Sequence, residues 1–478
     1  METLEYDLVV LGAGSGGYAA ARTARDLGAK VALVDHGPLG GLCILRGCMP
    51  SKAFLASSDA LQAARDSDAL GIRIDGKIGF DMPFIQQRKR ALVKDFADYR
   101  IEGIETFPLY QGHVHFVSDG AVEVGDIARL HAKSFVIATG SVVAPPQIPG
   151  LVDAGYLDSD TVLELESIPS SVAVLGGGYT ACELGQFLAR MGAKTTILIR
   201  SNHLLTGADD DVGDALTRYF REDGIRVIEQ THVTRVEKRG TRKVVHYSVG
   251  GERLELVVDE IFYAQGRLPN VEGLSLGTAG VDYDPEDGIS VDSTLRTNRS
   301  HIFAVGDVMG VYALVHVAIY QGEIAARNAI AGSNEEADYR LMSAHTIFSE
   351  PQVAHVGMNE KELKRAGIEY CVGKYDFAEH GKAMVLGTTR GFVKMMSRLV
   401  TGEILGATVI GPQASELIHE VIVAMTFNAT VGQFMRIPHL HPTLSEIWTY
   451  PAEECAVQCG LREPVDQMME LATSGGAD

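Results

Sequence analysis

Short apolar runs that end in glycine set the plan of this chain. Residues 8–11, Leu-Val-Val-Leu, stop at Gly12-Ala13-Gly14-Ser15-Gly16-Gly17. An alanine-rich stretch occupies residues 18–27, and Val31-Ala32-Leu33-Val34 then runs up to Asp35. Continuous apolar runs of this length, bounded by turn residues, predict buried strands, and the stretch between them a helix. In that strand–turn–helix–strand setting Gly12, Gly14 and Gly17 fit a dinucleotide fingerprint. The glycines permit a tight turn, close approach of a pyrophosphate and close helix–strand packing, with the phosphate at the helix N-terminus. Asp35, closing the second strand, is placed to accept a hydrogen bond from a ribose hydroxyl. An ordinary glycine-rich turn is the plainer alternative.

The pattern returns. Ser171-Val172-Ala173-Val174-Leu175 leads into Gly176-Gly177-Gly178-Tyr179-Thr180-Ala181, and Gly-Ala-Lys closes both units, at 28–30 and at 192–194. The units align without a gap at an offset of 164 residues, Gly12 on Gly176 and Gly14 on Gly178, with Ala181 in place of the third glycine. Two fingerprints imply two dinucleotide-binding domains and two nucleotide cofactors, one passing electrons to the other; a duplication with one inactive site is the alternative. The alignment sets Asp35 on Ile199 and His36 on Arg200. The second unit lacks the acid that favours a free 2′-hydroxyl, and Arg200 offers a cation to a 2′-phosphate, so NADPH is expected there over NADH. His203 is a candidate second cation.

The apolar runs at 135–138 and 261–264 precede Thr139-Gly140 and Gly266, where the chain can return from one sheet to the next domain. Residues 144–168, with three prolines and several acids, read as a linker. The run at 302–305 ends in Gly306-Asp307, whose acid can reach a second hydroxyl of the first-site nucleotide, and a helix is expected from near Leu314. Beyond residue 342 the pattern becomes α+β. Alternation over 391–396 and 403–410 predicts a hairpin around Thr401-Gly402, followed by a helix over 414–427.

Two local patterns carry chemistry. In Gly40-Gly41-Leu42-Cys43-Ile44-Leu45-Arg46-Gly47-Cys48-Met49-Pro50-Ser51-Lys52, the two sulfurs can meet if the backbone bends at Gly47. Pro50 suits a first helical turn, which puts Cys48 near a helix N-terminus where a thiolate is favoured, with Lys52 on the same side. This predicts a redox-active dithiol. In His439-Leu440-His441-Pro442-Thr443-Leu444-Ser445-Glu446, Glu446 can orient the His441 imidazole as a base–orienter pair requires. A metal site from His439 and His441 and an inert histidine are the rival readings. Cys455 and Cys459 are expected on a short helix, buried and inert, with a thiol relay or soft-metal site as the alternative; Cys182 and Cys371 read as isolated core fillers.

Composition narrows the setting. A chain of 478 residues has room for roughly three domains. A formal charge of −20 argues against nucleic acid and against anionic membrane surfaces. The sequence has no apolar run of spanning length, no signal peptide is expected ahead of the strand-like run at 6–11, and six cysteines are too few for a disulfide framework. A reducing, cytoplasmic setting is the expectation.

Together, the two fingerprints, the Cys-x4-Cys between them, Gly306-Asp307 and the His-Pro with its glutamate resemble the flavin-dependent pyridine nucleotide–disulfide oxidoreductases. That family includes dihydrolipoyl dehydrogenase, glutathione reductase and mercuric reductase. The resemblance covers about residues 5–460 and implies an α/β fold: two Rossmann-like dinucleotide-binding domains, for FAD and NAD(P), plus a C-terminal α+β dimerisation domain. The boundaries expected are 1–148 and 267–341 for the FAD-binding domain, 149–266 for the NAD(P)-binding domain and 342–478 for the interface domain. It implies FAD at Gly12, Gly14, Gly17, Asp35, Thr139, Gly140, Gly306 and Asp307, with His316 also among the cofactor-binding residues. NAD(P)H would lie at Gly176, Gly178, Ala181, Arg200 and Gly266. Cys48 would contact the flavin, Cys43 would attack substrate, and Lys52 would pair with Glu183 beside the flavin. His441, held by Glu446, would be the acid–base residue, supplied across a homodimer interface by the other subunit.

Within the family, Leu314-Val315-His316-Val317-Ala318, the run 411–420 and the His441–Glu446 stretch look like dihydrolipoyl dehydrogenase, whereas Arg200-Ser201 resembles the NADPH-using reductases. Leu45 stands where dihydrolipoyl dehydrogenases usually have asparagine, and Arg46 adds a cation there. Mercuric reductases usually have tyrosine in place of His441 and a C-terminal pair of adjacent cysteines, which this chain lacks. The resemblance implies electron exchange between NAD(P)H and a disulfide or dithiol. Reduction of a glutathione-type disulfide, a mercuric ion or another oxidant is the alternative, and a non-catalytic flavoprotein subunit a further one.

Overall fold

The computed structural model describes residues 2–461; the expected interface domain beyond residue 461 lies outside the described residues. The strand Glu2–Leu11 forms the centre of a seven-stranded sheet, parallel to Val31–Asp35 on one side and to Ala128–Ile137 on the other. Leu8, Val9, Val10 and Leu11 are fully buried, as a strand covered on both faces requires. Ala128–Ile137 serves two partners along its length. Its first half pairs antiparallel with Ala121–Val124, and its second half pairs parallel with Ile302–Ala304. The last strand, distant in sequence, thereby brings Gly306-Asp307 to the strand ends where the first fingerprint lies.

The second unit repeats the first in space. Leu8 pairs with Val31, and Val172 pairs with Thr195, each 164 residues further on. The helices Ser15–Asp26 and Tyr179–Arg190 occupy corresponding positions, both entered from a glycine in extended conformation. The parallel sheet runs Arg226–Ile228, Lys194–Leu198, Ser171–Leu175, Glu260–Tyr263, with a three-stranded antiparallel sheet over 232–258 beside it.

A five-stranded antiparallel sheet follows, in the order His345–Ile347, Gln352–Gly357, Ile404–Gly411, Phe392–Arg398, Tyr370–Asp376. Its middle hairpin and the helix Ala414–Thr426 fall where the sequence places them, but both hairpin strands are covered on both faces, so the alternation does not mark an exposed face. Lys394 on this sheet is buried and binds Asp209 (2.7 Å), Asp211 (2.9 Å) and Glu360 (3.0 Å), so it ties the second unit to the C-terminal sheet.

Residues 144–168 follow a mostly half-buried or exposed course with a few anchored side chains. Leu151, Val162 and Leu163 are buried. Gln86 and Lys89 of the long helix Met82–Ile104 donate to the Leu163 carbonyl, and Gln86 also to that of Leu165. Most of the stretch stays at the surface, while these apolar residues pack on neighbouring elements.

Candidate active site

The cysteine stretch folds as two helices with a break between them. Leu42–Arg46 is one short turn, and Cys48–Arg65 begins immediately after Gly47. A Cβ at Gly47 would lie 3.0 Å from the Leu42 carbonyl oxygen and 3.2 Å from Cys43 Cα, so a larger residue would have to push the two turns apart, and glycine lets the second helix double back closely. The bend brings the two thiols into hydrogen-bond contact, both as free thiols. Their acidities split. Cys48 is drawn down to about 7, first by the hydrogen bond from Cys43, against burial, and then by the charge of Lys52. Cys43 is pushed far up by sharing its proton with Cys48 and by burial. The pair therefore holds one proton on Cys43 and a thiolate on Cys48 near neutral pH.

Lys52 Nζ donates to Glu183 Oε2 at 2.7 Å and lies 4.6 Å from the centre of the Phe348 ring. Glu183 Oε1 accepts from the Phe348 backbone N–H at 3.0 Å. Three separate elements thus fix the cation one helical turn from Cys48. Phe348 was not found from sequence; it sits in an ordinary loop with no motif around it.

Cys43 and Cys48 line a cleft of about 700 Å³ together with Gly12, Gly14, Asp35, Thr139, Gly140, Gly306 and Asp307. Gly12 has φ +105°, and a Cβ there would strike the Ala138 carbonyl. A Cβ on Gly14 would have nothing closer than Gly41 Cα at 3.9 Å, which leaves room for a phosphate to approach the backbone. Gly17 does not line the cleft; its missing Cβ allows contact with the Gly12 carbonyl, the packing role of the third glycine. Asp35 accepts from Ala13 N (2.8 Å) and Gly37 N (2.7 Å), which holds its carboxylate at the rim. The volume falls within the roughly 300–1,000 Å³ of small-molecule sites. An open glycine turn, an acid at the second strand's end and a thiolate in one cleft fit a dinucleotide with a redox ring.

A polar chain that the motifs do not disclose links residues of this cleft through two that lie outside its lining. Arg46 lies 3.5 Å from Asp160, and Arg267 bonds Asp160 (3.1 Å) and Ser141 Oγ (3.0 Å). Ser141 in turn donates to Asp307 at 2.7 Å. The cation between the two cysteines is thus connected to the acid of Gly306-Asp307. Thr139 Oγ donates to the Asn270 carbonyl at 2.7 Å. His316 stands outside the cleft lining, exposed, with Nε2 bonded to the Met342 carbonyl at 2.8 Å.

At the second fingerprint Gly176 has φ +131°, Gly178 faces open space, Ala181 is buried and Gly266 has φ +111°. Ile199 is buried while Arg200 is exposed. His203, the candidate second cation, is turned inward: it bonds the Leu204 carbonyl (2.7 Å) and Asp210 (3.0 Å).

His441 Nδ1 lies 3.0 Å from Glu446 Oε2, with the imidazole 80% exposed and Glu446 largely covered. His441 is absent from the cleft lining of its own chain. His439 is bonded instead to Glu420 and the Ile437 carbonyl, so it does not join His441 as a ligand pair, and no metal-binding group of three side chains occurs among the described residues. Behind Glu446, the buried His380 places Nε2 3.6 Å from Oε1, and neither of its ring nitrogens has a hydrogen-bond partner among the described residues.

Residues 6–322 match the family model for pyridine nucleotide-disulphide oxidoreductases, and residues 343–452 match the dimerisation domain of the same family. The chain belongs to this family. Its relatives include the dihydrolipoyl dehydrogenase of Chlamydia muridarum, 36% identical over 94% of this chain and 96% of that protein. The dihydrolipoyl dehydrogenase of Geobacillus stearothermophilus is 35% identical over 94% and 96%. A mercuric reductase of Bacillus cereus is 32% identical over 92% of this chain and 70% of that protein. A solved Cu(II) complex of the HOCl-induced flavoprotein disulfide reductase RclA from Escherichia coli superposes with TM-score 0.83 and 26% identity, covering 94% and 99% of the two chains. As a pyridine nucleotide–disulfide oxidoreductase the protein is an FAD-dependent, NAD(P)H-linked enzyme acting on sulfur groups.

Proposed function

We propose that the protein moves two electrons between NADPH and a disulfide through Cys43 and Cys48, as a homodimer in which His441 of each chain serves the other's cleft. The observation that carries this reading is the split thiol pair in the cleft below the first fingerprint. Bound FAD would carry the electron pair between nicotinamide and sulfur. In disulfide reduction, His441 takes the Cys43 proton as Cys43 attacks the substrate disulfide; a mixed disulfide forms and the first thiol leaves with the proton returned by His441. The Cys48 thiolate then attacks the Cys43 sulfur, closing the internal disulfide and releasing the second half of the substrate as a thiolate, which takes a proton from water. Glu446 holds the imidazole through Nδ1, which leaves Nε2 for the transfer. The high exposure of His441 and its distance from its own cleft lining support delivery to a second copy, as does the dimerisation-domain match.

NADPH is favoured by exposed Arg200 beside buried Ile199, where an acid would select NADH. A cytoplasmic setting fits a catalytic dithiol that must be reduced to work, and no described helix is long and apolar enough to cross a membrane. A second reading, reduction of a soft metal cation at the same cysteines, draws support from the mercuric reductase relatives and from the Cu(II) complex of the RclA neighbour. Comparison of kcat/KM for lipoamide, glutathione disulfide, Hg(II) and Cu(II), each with NADPH and NADH, tests both. Turnover of a disulfide with NADPH preferred is expected. Metal turnover without disulfide turnover overturns the first reading, and a clear NADH preference overturns the cofactor assignment.

A further inference from the structure

Cys371, Cys455 and Cys459 meet in the C-terminal core, none of them in the cleft. Cys371 lies on the edge strand Tyr370–Asp376. Cys455 lies in the helix Thr449–Gln458 and Cys459 caps its end, so one turn separates them and both face the strand. Cys371 is therefore not the isolated core filler expected from sequence. Its Sγ is 3.2 Å from Cys459 Sγ and 3.0 Å from Ser397 Oγ. Cys455 Sγ is directed to the Met395 carbonyl at 3.4 Å. Cys371 and Cys455 are buried, whereas Cys459 is partly open to solvent.

The three thiols do not share protons evenly. Hydrogen bonds from Cys455, Ser397 and Cys459 draw Cys371 down to about 5 against burial, while Cys455 and Cys459 are both pushed up. A thiolate in contact with a second, reachable thiol is the arrangement that disulfide chemistry needs, and a packing role needs no such pair.

We propose that Cys371 and Cys459 form a second redox pair that closes to a disulfide on exposure to a small hydroperoxide. Cys459 sulfur attacks a peroxide oxygen as its proton passes to the Cys371 thiolate; the O–O bond breaks, hydroxide leaves and Cys459 becomes a sulfenic acid. Cys371 then attacks the Cys459 sulfur, the S–O bond breaks and water leaves with the Cys371 proton. Two thiols are oxidised and one peroxide is reduced. The sulfurs need to close by about 1 Å, to the roughly 2.05 Å of a disulfide. The link would pin the helix that follows the Glu446 turn to the edge of the sheet.

The test is peptide mapping of the holoenzyme, reduced with dithiothreitol, desalted, treated with hydrogen peroxide, blocked with iodoacetamide and digested without reductant. Expected is a cross-link joining the Cys371 peptide to the peptide bearing Cys459, with loss of alkylation at both positions. Cys455→Ser should keep the link, and Cys371→Ser and Cys459→Ser should each abolish it. Full oxidation of Cys43 and Cys48 with Cys371 and Cys459 still alkylated overturns the proposal. So does a link that survives Cys459→Ser, or conversion of Cys459 to a sulfinic acid without any link. The wild-type map decides by itself if a variant fails to fold.

Discussion

Replacing Lys52 with methionine tests how the cleft keeps Cys48 ionised. Lys52 is anchored by Glu183 at 2.7 Å and by the Phe348 ring, one helical turn beyond Cys48. A unit charge roughly 6 Å away in an effective dielectric of about 20 is worth about 2.8 kcal/mol, or about 2 pKa units. About a third of the Lys52 side chain is open to solvent, so screening reduces the expected effect to about one unit. Cys48 should then titrate near 8 rather than about 7, and the thiolate at pH 7 should fall from about half to about a tenth of the molecules. The long-wavelength thiolate–flavin charge-transfer band of the two-electron-reduced holoenzyme, followed against pH, reads this directly.

Glu183→Gln supplies the opposite sign. Its carboxylate opposes the thiolate, so removing that charge should move the band's midpoint down while breaking the same ion pair. A purely architectural role for the pair would shift both variants alike. An unmoved midpoint in Lys52→Met, or movement of both variants in one direction, refutes the electrostatic argument.

Three further outcomes follow from other parts of the molecule. His441→Ala should slow disulfide turnover about 10²–10⁴-fold, with Glu446→Gln slowed less, while anaerobic formation of the charge-transfer band by NADPH persists in both, as stopped-flow half-reactions will show. Arg200→Glu should raise the KM for NADPH roughly tenfold to a hundredfold, corresponding to about 1.5–3 kcal/mol for a charged hydrogen bond, and leave that for NADH nearly unchanged. Lys394→Met strands three carboxylates around one buried site and should cost about 3–5 kcal/mol, read as a fall in Tm of the holoenzyme. Burial pushes Asp211 and Glu360 up, but Lys394 overrides it and holds both below the usual range. Their contribution is fully present above the unfolded pKa of about 4 and is lost as pH falls from there through the depressed folded values, so the gap between wild type and Lys394→Met should narrow in acid.

What the sequence makes legible is what is local. The fingerprint glycines act on their own turns, so the two helices 164 residues apart have the same length and the same glycine entry. The Cys43–Cys48 bend is likewise set within a few residues by Gly47. The prolines and acids of residues 144–168 mark a stretch between units, but they do not disclose that the Leu163 carbonyl is held there by the helix Met82–Ile104. Phe348, His380 and Asp160 join their sites from other elements, and no spacing rule reaches across such a gap. Cys371 makes the point most sharply. By composition it is a small buried hydrophobe, indistinguishable from Cys182, which is buried with no sulfur bonded to it among the described residues. What separates them is the register of the edge strand against the last helix, which sets one sulfur 3.2 Å from another 88 residues away. The chemistry of a cysteine is therefore decided by its neighbours rather than by its burial. Peroxide should distinguish the two: Cys371 forms its link while Cys182, whose thiol burial holds protonated, stays unmodified.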